Sequence, residues 1–352
     1  MTKEHTALVA GVTGAIGAAV AHELSQNQNR TVYGLSRNPP SSPLPEVSYL
    51  QTDLSNRQKC SKDIAALGNV THIYYCGRAT HSEQVLEDPE HNLELLRNLL
   101  DSTEKSGTLQ HVHLVQGGKY YGVHIGPFPT PAQEGQPRAP APNFNYDQQD
   151  FLSARSERAN WTWSASRPNT LIHYSPAVAR NLVSSLGAYA ALCKAMGAAL
   201  DFPGPAQAYN SITQVTSLDL LARGISWMSC TGHCANHAFN ITNTDIFRWS
   251  SLWPKLADAF SMPVGTVRPM QLADVMADRQ SLWMQLCRQS NLKQTRLNRI
   301  ANWGYLDATL TRTWDEILCH NKTRAMGFHD WDNSEDRFFL ILDQYRSDAL
   351  IP

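Results

Sequence analysis

The chain has 352 residues and carries 30 basic against 31 acidic side chains, a formal net charge of −1. That balance gives no electrostatic footprint for DNA, RNA or an anionic bilayer, so those partners are not expected. Charged residues form 17% of the chain and hydrophobic ones 42%, which excludes charge-driven disorder and suits a large core in about two domains.

The first residues, MTKEHTALVAGVTG, run directly into a strand pattern with no basic-then-apolar leader. The longest apolar stretch, 186–200, is broken by Lys194 and is too short to span a bilayer. The 7 cysteines are odd in number and scattered, which suits reduced thiols rather than a disulfide framework. The expectation is a soluble cytoplasmic protein, in which the sequons at Asn69, Asn160 and Asn240 are chance matches.

Apolar runs at 6–10, 31–35, 47–50, 71–75 and 111–115 alternate with helical patterns such as 15–26 and 91–105. This is the βαβ signature of a parallel sheet. A proline-rich stretch at 127–142 forbids helix and reads as a surface loop, either a linker or a flap over a site. A helix at 147–160 and a strand-like segment at 161–176 follow, then a helix-rich half with one further strand at 238–241. The fold class is α/β: a Rossmann-type doubly wound parallel sheet with a smaller, mostly helical C-terminal substrate region. Residues 1–175 are assigned to the first part and 176–352 to the second, which partly returns to the sheet near 238–245.

The first strand runs into Gly11-Val12-Thr13-Gly14-Ala15-Ile16-Gly17, a G-x-x-G-x-x-G turn that opens a helix. Gly11 permits the tight turn, Gly14 the close approach of a pyrophosphate, and Gly17 close helix–sheet packing. The helix N-terminus adds free N–H groups for the phosphates. A dinucleotide therefore belongs at residues 11–17, and this glycine spacing leans towards short-chain dehydrogenases. At the end of the second strand the chain reads Ser36-Arg37 with no carboxylate. Arginine accepts the 2′-phosphate of NADP where an acid would bind the ribose of NAD, so NADPH is the expected cofactor. Asp53 and Leu54, after the third strand, are placed to meet the adenine.

Reductases of this kind normally carry tyrosine four residues before lysine on one helix, the lysine lowering the phenol's pKa. No lysine in this chain has tyrosine at that position. Lys119, just past the strand at 111–115, lies where active sites of open α/β sheets gather. Tyr146 lies at the mouth of the next helix, but position 150 is Asp. Together they suggest a lysine moved to a loop while the tyrosine stayed.

GVTGAIG, KYYGVHIGPF, NFNYDQQD, TWSASRPNTLIHYSP and FNITNTDIFRW together resemble the progesterone 5β-reductase/iridoid synthase family of atypical short-chain dehydrogenases. The likeness runs over nearly the whole chain. It implies NADPH-dependent reduction of a carbon–carbon double bond conjugated to a carbonyl, with Lys119 and Tyr146 as the catalytic pair stabilising an enolate. It also implies that Gln116, Tyr146, Pro168, Ser175 and Pro176 line the nicotinamide and diphosphate side. Two departures stand out: Asn145-Tyr146 replaces the family's paired tyrosines, and 120–125 is longer than usual. The alternatives are a carbonyl reductase or epimerase-type enzyme, and a non-catalytic NADPH sensor.

The partner the likeness implies is a small α,β-unsaturated carbonyl compound, whether steroid, monoterpenoid or small cyclic enone, and a homodimer is common in such families. No metal is expected: Cys230, His233, Cys234 and His237 have zinc-like spacing but no second knuckle. His111 and His113 read as packed strand residues, and Trp249, Trp253 and Trp303 as core or pocket wall.

Overall fold

A computed structural model of the chain describes residues 5–79, 87–140, 142–176 and 178–352. Met1–Glu4, at the head of the first assigned domain, and Ala141, in the proline-rich loop, lie outside those residues.

The first half builds β1 (His5–Ala10), α1 (Ala15–Ser25), β2 (Arg30–Ser36), β3 (Val47–Gln51), α2 (Arg57–Ala65), β4 (His72–Tyr75), α3 (Pro89–Thr103), β5 (His111–Val115), α4 (Phe144–Ser156) and β6 (Thr162–Pro168). All six strands are parallel, and the strand His237–Ile241 pairs with β6 to give the order His237–Ile241, β6, β5, β4, β1, β2, β3. β1 shows why its apolar run is continuous rather than alternating. Leu8 and Ala10 enter the core beneath α2 and α3, while Ala7 and Val9 enter the one beneath α1 and the helix Leu218–Cys230. A parallel sheet covered on both faces demands this pattern.

Local chemistry sets the helix starts. Asp88 caps α3 by accepting from Glu90 N–H and His91 N–H, with Pro89 in the first turn. Asn143 caps α4 by accepting from Asn145 N–H, so that helix begins at Phe144, ahead of the expected residue 147. Tyr146 therefore sits inside the first helical turn rather than before it.

The second half has its own core. β7 (Thr170–Ile172) pairs with Val215–Ser217, and α5 (Leu182–Ala195) is buried at every residue from Leu182 to Cys193. Trp249, Trp253, Trp283, Phe338 and Tyr345 pack in the same cluster, whereas Trp303 lies at its partly buried margin. The helix Leu218–Cys230 and the strand His237–Ile241 cross back to the first half.

Histidines line the sheet face beneath the helix Leu218–Cys230. His5 stacks on His72 at 3.6 Å, and His72 lies 6.1 Å from His111. His111 lies within hydrogen-bond distance of Thr162 and Ser164, and His113 of Ser164 and Ser166. Burial pushes His5 and His111 down to about 3, and His72 to about 4. These rings are neutral parts of a polar ladder.

The zinc-like residues go separate ways. Cys230 lies beside the Arg30 guanidinium, His233 faces the Met326 carbonyl, and Cys234 is buried. Among the described residues no helix is long and apolar enough to cross a membrane.

Candidate active site

The glycine turn has the geometry a dinucleotide needs. Gly11 has φ +81°, and a Cβ there would stand 2.9 Å from the Cys76 carbonyl group. A Cβ on Gly17 would stand 2.3 Å from the Gly11 oxygen, so only glycine lets α1 start this close to β1. Gly14 occupies the N-cap position with no side-chain cap, leaving the first N–H groups of α1, from Ala15 and Ile16 onward, facing outward. Gly11, Thr13, Gly14, Arg37, Asp53, Leu54, Cys76, Gly77 and Arg78 line a cleft of about 450 Å³. These residues fit a dinucleotide: bare backbone at the phosphates, a guanidinium beyond β2 and a carboxylate after β3.

Asp53 lies below the usual carboxylate range because it accepts from the Ser55 N–H and hydroxyl, with Arg37 adding its charge. Ser36 is placed differently from its neighbour. It is buried, its hydroxyl donates to the Asn38 carbonyl at 2.6 Å, and it does not line the cleft. The segment Cys76-Gly77-Arg78 was missed by sequence reasoning. Its signal was its position, immediately past the carboxyl end of β4.

Lys119 lies on a single 3-10 turn, Gly118–Tyr121, directly after β5. The turn closes at Gly122 with φ +86°, where a Cβ would meet Ala139 at 2.8 Å. Asn143 donates to the Lys119 carbonyl at 2.7 Å. The Lys119 ammonium, one-third exposed, pairs with Glu87, which also takes Arg78. Burial, then the charges of Arg78, Arg180 and Arg312, push the ammonium down to about 8.

Tyr146 is close to this turn, but its hydroxyl is engaged by backbone. It donates to the Tyr120 carbonyl at 2.6 Å and accepts from the Ala139 N–H at 2.9 Å. Its ring packs edge-on to Tyr120 at 4.9 Å, with the Arg138 guanidinium 4.8 Å above it. The phenol and the ammonium are thus linked through the backbone of Tyr120 rather than by a direct bond.

On the face of α4 towards β5 and β6 stand Asn145 and Gln149, one helical turn apart. Gln116 donates to the Asn145 carbonyl at 3.0 Å and to Gln149 Oε1 at 3.2 Å. Arg167, only 1% exposed, donates to Gln116 at 2.8 Å and Gln149 at 2.9 Å, with Tyr120's ring 3.3 Å away. This buried guanidinium was also missed, since an arginine within a strand pattern looks like an edge residue. Near it the Asn145 side-chain oxygen and the Asn169 side-chain nitrogen are buried without a hydrogen-bond partner among the described residues. Asn169 lies 3.5 Å from where a Gly118 Cβ would be. Such orphaned atoms beside Gln116 and Pro168 suit a site completed by a bound polar group.

Pro168 ends β6 and is buried, its carbonyl 3.7 Å from a notional Gly117 Cβ. Ser175 is held elsewhere, its N–H donating to the Tyr345 hydroxyl at 2.9 Å, and Pro176 is exposed. Neither lines the glycine cleft. The proline-rich loop is pinned to the second half: Ala132 N–H donates to the Ile317 carbonyl at 2.7 Å, and Cys319 N–H to the Ala132 carbonyl at 2.8 Å.

The fold and the glycine cradle define a Rossmann-type protein. Residues 47–352 match the family described as a PRISE-like Rossmann-fold domain. An (S)-8-oxocitronellyl enol synthase of Nepeta cataria is 32% identical over 98% of this chain and 91% of its own length. The Catharanthus roseus enzyme of the same name is 32% identical over 98% of this chain and 92% of its own. A 3-oxo-Δ4,5-steroid 5β-reductase of Arabidopsis thaliana is 30% identical over 99% and 94%. The chain belongs to this progesterone 5β-reductase/iridoid synthase-like family.

Solved structures agree on the fold. A short-chain dehydrogenase/reductase superfamily protein of Agrobacterium tumefaciens, with bound NAD, superposes with TM-score 0.68 at 16% identity, covering 98% of each chain. A UDP-glucose 4-epimerase of Thermotoga maritima gives 0.69 at 15%, covering 97% of this chain and 99% of that one.

Proposed function

We propose that this protein is an NADPH-dependent ene reductase acting on the carbon–carbon double bond of an α,β-unsaturated carbonyl compound. The observation that carries the reading is the position of Lys119, an ammonium past the carboxyl end of β5 with its peptide fastened from α4. NADPH in the cradle would supply a hydride to the β-carbon of the substrate. The protein's own groups bind, orient and balance charge. The N–H groups at the start of α1 and Arg37 hold the phosphates, Arg37 taking the 2′-phosphate, while Asp53 and Leu54 meet the adenine end. Gln116, Pro168 and the orphaned atoms of Asn145 and Asn169 face the nicotinamide side. Ser175, held by the Tyr345 hydroxyl, and Pro176 are assigned to the same side by the family likeness.

Lys119 is the group that faces the negative charge building on the carbonyl oxygen, and protonation of the α-carbon comes from water. Tyr146 acts with it, and the backbone bonds of its hydroxyl favour positioning over direct contact. Removing one preorganised oxyanion donor costs about 10²–10³ in rate. A cytoplasmic setting completes the reading.

NADPH oxidation should be followed over a panel of small and bulky enones, with the products identified. A saturated carbonyl product supports ene reduction. An alcohol product would overturn it in favour of carbonyl reduction. Cofactor binding without oxidation would leave a sensor.

A further inference from the structure

Arg167, buried on β6, is the point at which the segments around Lys119 meet. Its Nε donates to Gln116, just past β5. Its terminal nitrogens donate to Gln149 on α4, to the Tyr121 hydroxyl at 3.2 Å and to the Glu134 carbonyl of the proline-rich loop at 3.0 Å. A ring of bonds closes behind it. The Tyr121 hydroxyl donates to Asn240 at 2.6 Å, and the Asn240 N–H donates to the Glu134 carboxylate at 2.8 Å.

Tyr120, the residue after Lys119, is held twice. The Arg167 guanidinium carbon lies 3.3 Å from the centre of its ring, and the Tyr146 hydroxyl donates to its carbonyl at 2.6 Å. A planar guanidinium can stack on a ring while donating in its own plane, which a lysine cannot do. Every acceptor of Arg167 is neutral, and burying a cation on neutral partners alone is costly. On the same strand Ser164 and Ser166 meet their neighbours with hydroxyls, so β6 did not need a charge to be satisfied. The charges that depress the Lys119 ammonium come from Arg78, Arg180 and Arg312. What Arg167 gives the turn is therefore position.

We propose that Arg167 is a positioning residue for the reduction: through the ring of Tyr120 it fixes the turn that carries Lys119, and so sets where the ammonium meets the substrate carbonyl oxygen. The proposal rests on the reading of Lys119 as the group facing the enolate.

Arg167→Lys keeps the charge and loses the planar fork. With the full-length protein and cyclohexenone as probe, kcat should fall about ten-fold or more while KM holds. NADPH affinity by fluorescence titration should also hold, since Arg167 does not line the glycine cleft. The alkaline limb of the pH–rate profile should move upward from about pH 8, as a loosened turn lets the ammonium into water. The charged and titratable groups around that ammonium, Glu87, Arg78, Arg180, Arg312 and His124, are unchanged in the variant, so the shift reports burial.

An arginine that only supports the fold would lower the melting temperature and leave kcat and the limb of the folded protein in place. That result would overturn the proposal. Tyr120→Leu removes the ring on which Arg167 stacks, should reproduce both kinetic effects, and decides the matter should Arg167→Lys not fold. The double variant should lose little more than either single one. Additive losses would overturn the route through Tyr120. A wild-type rate in Lys119→Met would remove the reading of Lys119 and this inference with it. Loss of rate there beside wild-type behaviour in Arg167→Lys would remove this inference alone. No reduction of cyclohexenone or of any other enone by the wild-type protein would remove the ene-reductase reading as well.

Discussion

The Tyr146 hydroxyl donates to the Tyr120 carbonyl oxygen at 2.6 Å, one residue along from Lys119. Through the Ala139 N–H the same phenol also fastens the proline-rich loop. Tyr146→Phe would leave one buried and one partly buried backbone group short of a partner, a loss of about 1–3 kcal/mol. Denaturant unfolding should register that loss, and kcat for enone reduction should fall about ten-fold or more. A wild-type rate in the variant would remove Tyr146 from the mechanism.

Lys119 must be charged to face an enolate, and its ammonium is held down to about 8 by burial and by neighbouring cations. The cation is present below that value and lost above it. The rate should therefore be flat on the acid side of about pH 8 and fall as pH rises through it. Lys119→Met should cost about 10²–10³ in rate and abolish that limb. A pH–rate profile of both proteins decides the point, and a persistent limb in the variant would assign it to another group.

Arg37 lies beyond β2, where an acid would select the unphosphorylated ribose. Arg37→Asp should weaken NADPH binding by about 10–100-fold, the equivalent of about 1.5–3 kcal/mol for a charge-assisted contact, while NADH binding improves. Fluorescence titration with both cofactors reads the exchange directly. Unchanged NADPH affinity would show that the 2′-phosphate lies elsewhere.

The histidine ladder predicts acid sensitivity. Burial lowers His5 and His111 to about 3 and His72 to about 4, against the ordinary imidazole value of 6.5. Below pH 6.5 the unfolded chain binds protons that these folded rings refuse, so the stabilisation present above that pH is lost as pH falls towards 4 and then 3. The melting temperature should decline steadily over that window. His111→Gln, which removes the titration but keeps a polar side chain, should make the decline shallower.

Much of this architecture was legible in the chain. The strand patterns, the G-x-x-G-x-x-G turn, Arg37 and Lys119 all sit where local sequence placed them, because each depends on a strand end or a backbone conformation. Other features depend on tertiary contacts that one sequence does not display. The phenol of Tyr146 turned towards Tyr120 because α4 begins at Phe144, a start set by the Asn143 cap. Arg167 gained its partners only when β5, β6 and α4 met. The Ser36 hydroxyl is taken up by a turn carbonyl two residues away.

The strand His237–Ile241 completes the sheet against β6, although residues 169–236 separate the two. During synthesis β6 therefore emerges with one ladder edge bare, and the sheet face over Ala7, Val9 and Tyr74 waits for the helix Leu218–Cys230 to cover it. An amino-terminal fragment ending near residue 175 would retain both exposures, an open edge and an uncovered apolar face, which favour self-association. The amino-terminal half is thus expected to depend on the ribosome delivering the rest of the chain before it reaches a soluble, closed form.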